Sequence, residues 1–230
     1  MRLLGVLGGM SWTSTEAYYR GLNEGVAARL GGLHSARLVL HSVDFDPVAR
    51  AQHAGDWDAT AGILGEAAAG LAAAGAEALI LATNTMHRVA GALEETAGIP
   101  LLHIADPTAT ALLAAGHRRV GLLATRFTME EGFYVDRLRD RGLDVVVPEA
   151  EDRTLVHRII YDELVVDVVR AQSRAAYREV VARLAAAGAE AVVLGCTEIG
   201  LLLRDGDTDV PLFDTTALHV AAGVDWLCPD

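Results

Sequence analysis

The chain has 230 residues, of which 52% are apolar and 22% charged, and its formal net charge is −12. This length and composition suit one large globular domain or two small ones, each with its own core. The negative charge excludes nucleic acid and anionic membranes as expected partners, because both require a basic surface that this chain lacks.

The chain contains no lysine, since all 19 basic residues are arginine. A pyridoxal-phosphate enzyme needs a lysine for its internal Schiff base, and a P-loop needs one for its phosphates, so both classes are excluded. The histidines are scattered without metal-ligand spacing, and neither a metal nor a cofactor is predicted. The start of the chain resembles no signal peptide, and a disulfide between Cys196 and Cys228 is disfavoured; a cytoplasmic protein is expected.

The first half of the chain alternates predicted strands and helices. In order, they are a strand at 3–7, a helix from Ser14 or Thr15 to about 30, a strand at 36–43, a loop from Asp44, a helix at 58–74, a strand at 78–81, a helix at 85–96, a strand at 101–104 and a helix at 108–116. Glycine and proline at 98 and 100 close the third of these helices.

The same alternation continues in the second half. The predicted elements are a strand at 119–124, a helix at 129–141, a strand at 145–147, a largely helical stretch at 152–187, a strand at 192–194, a helix at 197–203, a strand at 210–214 and a helix at 216–227. Such alternation predicts an α/β fold with parallel sheets covered by helices on both faces. We expect a first lobe formed by residues 1–100 and 210–230 and a second formed by residues 101–209.

One segment of the sequence occurs twice. Residues 71–83 (LAAAGAEALILAT) return as residues 184–196 (LAAAGAEAVVLGC) at a constant offset (196 − 83 = 113). Each copy predicts a helix end, a tight glycine turn, a buried strand and the start of another helix. A nucleophilic side chain ends each copy, Thr83 in the first and Cys196 in the second. The repeat predicts two similar doubly wound lobes related by a pseudo-twofold axis, with a small ligand in the cleft between them.

Polar triplets follow the repeated strands, at the sheet edge where parallel α/β folds bind ligands. Thr83-Asn84-Thr85 and Cys196-Thr197-Glu198 each lie at a predicted helix N-terminus, whose N–H groups and partial positive charge favour a carboxylate. The same dipole is expected to lower the pKa of Cys196 and so to raise its thiolate fraction. The two triplets are therefore predicted to form a carboxylate site with one reactive thiol.

Five ordered motifs resemble those of the cofactor-independent aspartate/glutamate racemases. They are LGGMSW at 7–12, TNTMH at 83–87, HIAD at 103–106, TRFTM at 125–129 and GCTEIG at 195–200, and they span essentially the whole chain. The resemblance is closest to the subgroup specific for L-aspartate and L-glutamate, which has Thr-Asn-Thr in its first lobe. It implies two α/β lobes around a cleft, often in homodimers, and an isomerase that removes and returns the α-proton of an acidic amino acid without a cofactor.

The family usually places two cysteines on opposite faces of the substrate, and this chain has Thr83 where the first would stand. A threonine hydroxyl is too weak an acid to serve as a standing base, so the resemblance leaves that role to Cys196. Thr83 then delivers a proton to the opposite face or holds the substrate. The L enantiomer is expected to be favoured, and Thr83→Cys is expected to restore turnover of the other enantiomer.

The resemblance also implies a set of substrate-binding residues. It places Met10, Gln52 and Thr125 along the cleft. With the triplet residues Asn84, Thr85, Thr197 and Glu198, they form the predicted set of substrate-binding residues. Some relatives carry a basic residue after an Asp-Glu-Leu segment, but Asp162-Glu163-Leu164 is followed here by two valines. Arg50 or Arg126 would then bind the substrate's second carboxylate, which leaves the choice between aspartate, glutamate and another acid open.

Two other functions remain open from the sequence. A decarboxylase of malonate-type acids needs one cysteine in the second lobe to protonate an enediolate, and Cys196 satisfies that need. A non-catalytic module that binds acidic amino acids needs the cleft alone. The variant Cys196→Ala distinguishes them, because a binding module keeps its affinity and has no activity to lose. His87 and His103 are interpreted as structural hydrogen-bonding residues rather than acids or bases.

Overall fold

The computed structural model describes residues 1–204 and 206–229 and divides into two compact units. The first unit contains Met1–His103 and the residues from His219 onward, and the second contains Ile104–Leu218. The chain therefore returns to the first unit later than the sequence division at 210 implies. The reason is that the strand Leu212–Asp214 pairs within the sheet of the second unit.

A parallel four-stranded sheet forms the centre of the first unit. Its strands are β1 (Leu4–Gly8), β2 (Leu38–Ser42), β3 (Ala78–Leu81) and β4 (Leu101–Leu102), in the spatial order β2-β1-β3-β4. Its helices are α1 (Trp12–Leu30), α2 (Phe45–Ala54), α3 (Trp57–Ala73) and α4 (Ala90–Ala97), with a 3₁₀ helix at Thr85–Val89. Leu7 pairs with Leu81, so the strand ends beside the predicted site residues are neighbours.

The second unit repeats this topology. Its strands are β5 (Arg119–Ala124), β6 (Asp144–Val146), β7 (Ala191–Gly195) and β8 (Leu212–Asp214), in the parallel order β6-β5-β7-β8. Its helices are α5 (Ala105–Ala114), α6 (Arg126–Glu130), α7 (Gly132–Asp140), α8 (Ala150–Asp162), α9 (Ala171–Ala186) and α10 (Ile199–Leu202), with a 3₁₀ helix at Leu164–Val166. The last helix, α11 (Thr215–Leu227), begins in this unit and continues into the first.

Both faces of the first sheet are buried at its central strand β1, as the α/β prediction requires. Leu4 and Val6 pack on one face with Tyr18 of α1, while Leu7 packs on the other with Leu64 of α3. Alternate residues of a strand point to opposite faces, so a strand covered on both sides is apolar throughout. Complete burial of one such leucine contributes about 1.5–3 kcal/mol. The parallel sheets with helices on both faces confirm the predicted fold class.

The duplicated segment makes the same turn in both units. Gly75 and Gly188 both have φ of +93°, a conformation that residues with a Cβ rarely adopt. Two residues later, the Glu77 carboxylate accepts a hydrogen bond from the N–H of Leu3 (2.8 Å), and that of Glu190 accepts one from Arg118 (2.7 Å). The repeat thus encodes a turn in which an acidic side chain ties the start of its own strand to the start of the neighbouring strand.

Some predicted elements differ from the observed ones. The segment predicted as a loop after Asp44 is the helix α2, which Asp44 caps by accepting from the N–H of Asp46 (3.3 Å). Pro47 lies in the first turn, where a missing N–H leaves no helical bond unmade. Helix α1 begins at Trp12, because Ser11 is its N-cap in place of Ser14 or Thr15. Among the described residues, no helix is both long and apolar enough to span a membrane.

Candidate active site

Two loops meet at the carboxyl ends of β1 and β3 in the first unit. The loop Gly8–Ser11 begins at the last residue of β1. The Thr15 hydroxyl holds this loop by accepting from the N–H of Gly9 (2.7 Å) and donating to the carbonyl of Ser11 (2.8 Å). A Cβ at Gly8 would lie 2.5 Å from the Thr15 side chain, so this contact requires glycine. Met10 belongs to this loop and is buried in the apolar cluster on the Leu7 face of the sheet.

Thr83, Asn84 and Thr85 follow β3 after Ala82, and all three are buried. The helix behind them starts as a 3₁₀ turn over Thr85–Val89 and becomes α-helical only at Ala90. The carbonyl of Thr83 accepts a hydrogen bond from Nδ1 of His87 (2.8 Å). The structure therefore places the first triplet next to the Gly8–Ser11 loop, at the strand ends where the sequence predicts it.

Gln52 lies on the missed helix α2, one turn after Val48, which packs in the same cluster as Met10. Its side chain is 1% exposed, and within the described residues neither amide atom hydrogen-bonds to another protein group. A buried amide without a partner costs about 1–3 kcal/mol. Gln52 is thus suited to bind a polar ligand, since its amide offers both a donor and an acceptor.

The matching strand ends of the second unit carry Thr125 and Cys196. Ala124 pairs with Gly195, so the two residues follow neighbouring parallel strands. The Thr125 hydroxyl caps α6 by accepting from the N–H of Thr128 (3.4 Å). Cys196 and Cys228 are both buried free thiols, which agrees with the absence of a disulfide between them.

Cys196 forms a buried pair with Glu198. The thiol donates to Oε2 of Glu198 across 3.0 Å, and the Thr197 hydroxyl donates to the same oxygen across 2.6 Å. Glu198 is only 4% exposed. The carboxylate therefore faces the thiol of its own triplet and not only a bound substrate.

The expected lowering of the Cys196 pKa is wrong for this structure. Burial raises the pKa of the Cys196 thiol well above its ordinary value, and the charge of Glu198 and its hydrogen bond raise it further. The helix expected to lower it, α10, has only four residues, so its dipole is small beside the cost of placing a thiolate in a desolvated site. The resting state is a protonated thiol next to a carboxylate.

Tyr177 and Glu163 lie in the same buried part of the second unit. Burial raises the pKa of Tyr177 well above its usual range, and the charges of Cys196, Glu163 and Glu198 raise it further. The Tyr177 hydroxyl donates to the carbonyl of Val156 (3.0 Å). No sequence pattern singles out Tyr177, which occupies an ordinary buried position of helix α9.

The arginines proposed for the second carboxylate lie in exposed positions. Arg50 forms an ion pair with Asp46 on its own helix, with 74% of its side chain exposed, and Arg126 stacks over the Phe127 ring at 5.8 Å. A third arginine, Arg170, was missed. It lies 3.5 Å from the buried Glu163 carboxylate, so a basic residue does follow the Asp-Glu-Leu segment, seven positions after its glutamate (170 − 163 = 7).

Each unit therefore carries polar groups at the carboxyl ends of its own central strands, Thr83–Thr85 in the first and Thr125 and Cys196–Glu198 in the second. In the part of the chain that the structure describes, no cluster of histidine, cysteine and acidic side chains is suited to a metal ion. The chemistry available is proton transfer by a thiol and a carboxylate, together with carboxylate binding by hydroxyl, amide and main-chain N–H groups.

Comparison with known proteins gives consistent matches over the whole chain. The model of the Asp/Glu/hydantoin racemase family matches residues 7–223. The crystal structure of a "putative Asp/Glu racemase" from Yersinia pestis is 49% identical, with a TM-score of 0.92 and 99% of each chain covered. An aspartate racemase homologue from Pyrococcus horikoshii OT3 is 32% identical, with a TM-score of 0.84 and 99% of each chain covered. Glutamate racemase from Francisella tularensis shares the fold at 17% identity and a TM-score of 0.66, over 98% of this chain and 81% of that one.

Proposed function

Because the chain belongs to the Asp/Glu/hydantoin racemase family and is an isomerase of the amino-acid racemase type, we propose that it racemises L-aspartate or L-glutamate with Cys196 as the base. The observation that carries this proposal is the buried thiol at the end of β7 with a carboxylate 3.0 Å from its sulfur. The absence of lysine supports a route that needs no pyridoxal phosphate.

The first step is the transfer of the thiol proton to Glu198. It converts the resting pair into a thiolate and a carboxylic acid, so no net charge is created. The thiolate then takes the α-proton of the substrate and leaves a carbanion. The environment that raises the Cys196 pKa makes the thiolate scarce but a stronger base once formed, and a strong base is needed for a weakly acidic C–H bond.

The α-carboxylate of the substrate carries the charge that develops in the transition state. We assign its binding to Asn84, Thr85 and Thr197, with the main-chain N–H groups of their segments. Gln52 and Met10 are proposed to contact the same substrate, Gln52 through its buried amide and Met10 through its apolar side chain. Thr125 completes the proposed set, although its hydroxyl already caps α6.

Thr83 is proposed to act on the face of the α-carbon opposite to Cys196. A hydroxyl can deliver a proton, directly or through water, far more easily than it can remove one. Turnover should therefore start from the enantiomer that presents its α-proton to Cys196, and we propose that this is the L form. For the side-chain carboxylate, Arg170 joins Arg50 and Arg126 as a candidate, because it extends from the start of α9 beside the buried Glu163.

The proposal is tested by proton NMR in D₂O with L- and D-aspartate and L- and D-glutamate, each in a separate sample. We expect the α-proton signal of an L substrate to disappear with the wild-type enzyme and to persist with Cys196→Ala. Chiral analysis of the same samples then shows whether the D enantiomer forms. Exchange with none of the four acids would contradict the proposal, and Thr83→Cys, expected to speed turnover of the D form, tests the assignment of faces.

A malonate-type decarboxylase is the second candidate, and the protonated state of Cys196 favours it. Decarboxylation generates an enediolate that must be protonated, and a buried thiol with a raised pKa is a ready proton donor. Carbon dioxide release from substituted malonates, lost in Cys196→Ala, would establish this reaction. A non-catalytic module would instead bind an acidic amino acid equally well with and without the thiol.

We also propose that the protein is a cytoplasmic homodimer. The family resemblance supports the dimer, and the use of two buried free thiols without a disulfide fits a reducing compartment. Light scattering coupled to size-exclusion chromatography measures the mass directly. A mass equal to that of one 24.3 kDa chain would contradict the dimer.

A further inference from the structure

Three histidines form a buried cluster in the first unit that the proposed chemistry does not use. His87, His103 and His219 are 3%, 7% and 0% exposed. The His87 ring centroid lies 4.5 Å from that of His103 and 5.7 Å from that of His219. This histidine cluster lies directly behind the Thr83 turn, because His87 belongs to the 3₁₀ helix that follows it.

The hydrogen bonds of the cluster fix the tautomers of two rings. A carbonyl oxygen only accepts, so Nδ1 of His87 carries the proton that it donates to Thr83 (2.8 Å). Nε2 of His219 likewise donates to the carbonyl of Leu102 (2.7 Å), and its Nδ1 then accepts from the Tyr18 hydroxyl (2.7 Å). Burial and the proximity of His87 lower the pKa of His219 to about 3, so this ring is neutral under physiological conditions.

The His87 ring takes the place of a main-chain donor. In an α-helix, the carbonyl of residue 83 would accept from the N–H of residue 87. Here that N–H bonds to the carbonyl of Asn84 (3.1 Å), and the imidazole supplies the bond to Thr83 instead. A side chain therefore sets the orientation of the Thr83 peptide. The main-chain N–H that this frees forms the i−3 bond of the 3₁₀ turn.

We propose that His87 is a positioning residue, whose Nδ1–H holds the Thr83 main chain and thereby the hydroxyl that delivers the proton. This inference rests on the proposed function. It predicts that loss of the bond impairs inversion more than it impairs removal of the α-proton, because His87 bonds to Thr83 in the first unit, whereas the thiol of Cys196 bonds to Glu198 in the second.

The test compares two substitutions of similar size and polarity. In His87→Asn the amide nitrogen occupies roughly the place of Nδ1 and can still donate to Thr83, whereas in His87→Gln it occupies roughly the place of Nε2. The quantity measured is the ratio of inverted product to α-proton exchange, for the acidic amino acid that the wild-type enzyme exchanges in D₂O. Thermal melting of both variants shows that they are folded.

We expect His87→Asn to keep this ratio within about threefold of wild type and His87→Gln to lower it by about tenfold or more, as misplacing a reacting group does. Equal ratios in two folded variants, with an active wild-type enzyme, would overturn the positioning role and leave the proposed function intact. A wild-type protein that exchanges none of the four acids would overturn both.

Discussion

The proposed chemistry of the Cys196–Glu198 pair concerns two protons: the thiol proton that Glu198 accepts and the α-proton that Cys196 removes. In Glu198→Gln the amide cannot take the thiol proton, so we expect α-proton exchange at saturating substrate to slow by about 10²–10⁴-fold. The charge of Glu198 raises the pKa of Cys196 in the wild type, so the thiolate of the variant should titrate at lower pH. Exchange is followed by NMR in D₂O, and the thiolate by its ultraviolet absorbance.

The two measurements together show whether Glu198 accepts the thiol proton as a base or only influences the thiol through its charge. A carboxylate that only suppressed the thiolate would give faster exchange once removed, so exchange equal to or above the wild-type rate would contradict the assignment. Glu163→Gln is the matched control, because Glu163 is also buried in the second unit but accepts from the Ser173 hydroxyl (2.6 Å) instead of the thiol. We expect that control to keep its exchange rate within about threefold of wild type.

The residues at the strand ends were predictable, and their contacts were not. Thr83 and Cys196 follow from the duplicated segment, because similar local sequences end at equivalent points of two parallel sheets. The Cys196–Glu198 bond depends on side-chain rotamers and on burial, which local sequence patterns do not reveal. The sequence predicts a lowered pKa for Cys196, because a full helix is expected to follow it. The helix α10 has only four residues, so desolvation outweighs its dipole and the pKa is raised.

At the scale of elements, local signals failed where tertiary contacts decide the backbone. The segment from Asp44 contains Pro47 and two acidic residues, which favour a loop, yet it forms a helix that Asp44 caps and that buries Val48 and Gln52 on one face. The helix predicted at 85–96 begins as a 3₁₀ turn, in which the His87 side chain bonds to the Thr83 carbonyl where an α-helix would use a main-chain N–H. In both places, the difference falls on residues that are proposed for the site or that bond to one of them.

The close approach of α1 and α11 depends on a glycine. A Cβ at Gly25 would lie 2.6 Å from Cγ2 of Val224, which is buried. We expect Gly25→Ala to lower the free energy of unfolding by about 1–3 kcal/mol, because overpacking outweighs the gain of about 1 kcal/mol in helix propensity. Urea denaturation measures the change.

A second helical glycine provides the control. Gly62 in α3 has no atom within 4 Å of the position that a Cβ would occupy. Gly62→Ala should therefore raise the free energy of unfolding by about 0.5–1 kcal/mol, through backbone entropy alone. Equal stabilisation by both substitutions would show that α1 and α11 do not pack as closely as described.

At the scale of the whole molecule, the duplication explains why the fold was predictable. Each unit orders its strands as second, first, third, fourth, and each places the repeated glycine at the same left-handed turn. The point at which the chain returns to the first unit was not predictable. Strand β8 has only three residues, and an apolar run of that length carries no signal about which of two similar sheets it joins.

The histidine cluster also links the stability of the molecule to pH. His219 titrates at about 3 in the folded protein, against an ordinary value of 6.5, because it is buried beside His87. The unfolded chain therefore binds a proton that the folded chain does not as pH falls below about 6.5, so the contribution of a neutral His219 is complete above that pH and is lost towards pH 3. Stability should decline on acidification for this reason, in addition to any effect of the carboxylates.

The size of this effect follows from the linkage relation. Between about pH 7 and about pH 5, one such group removes about 2 kcal/mol from the free energy of unfolding. His219→Gln keeps a donor for the carbonyl of Leu102 without a titrating ring, so its free energy of unfolding should fall by about 2 kcal/mol less than that of the wild type over the same interval. Urea denaturation at both pH values measures the difference, with His34→Gln at an exposed histidine as the control that keeps the wild-type dependence. Parallel losses in the wild type and His219→Gln would mean that the buried ring is protonated as readily as in the unfolded chain, which is incompatible with its two buried hydrogen bonds.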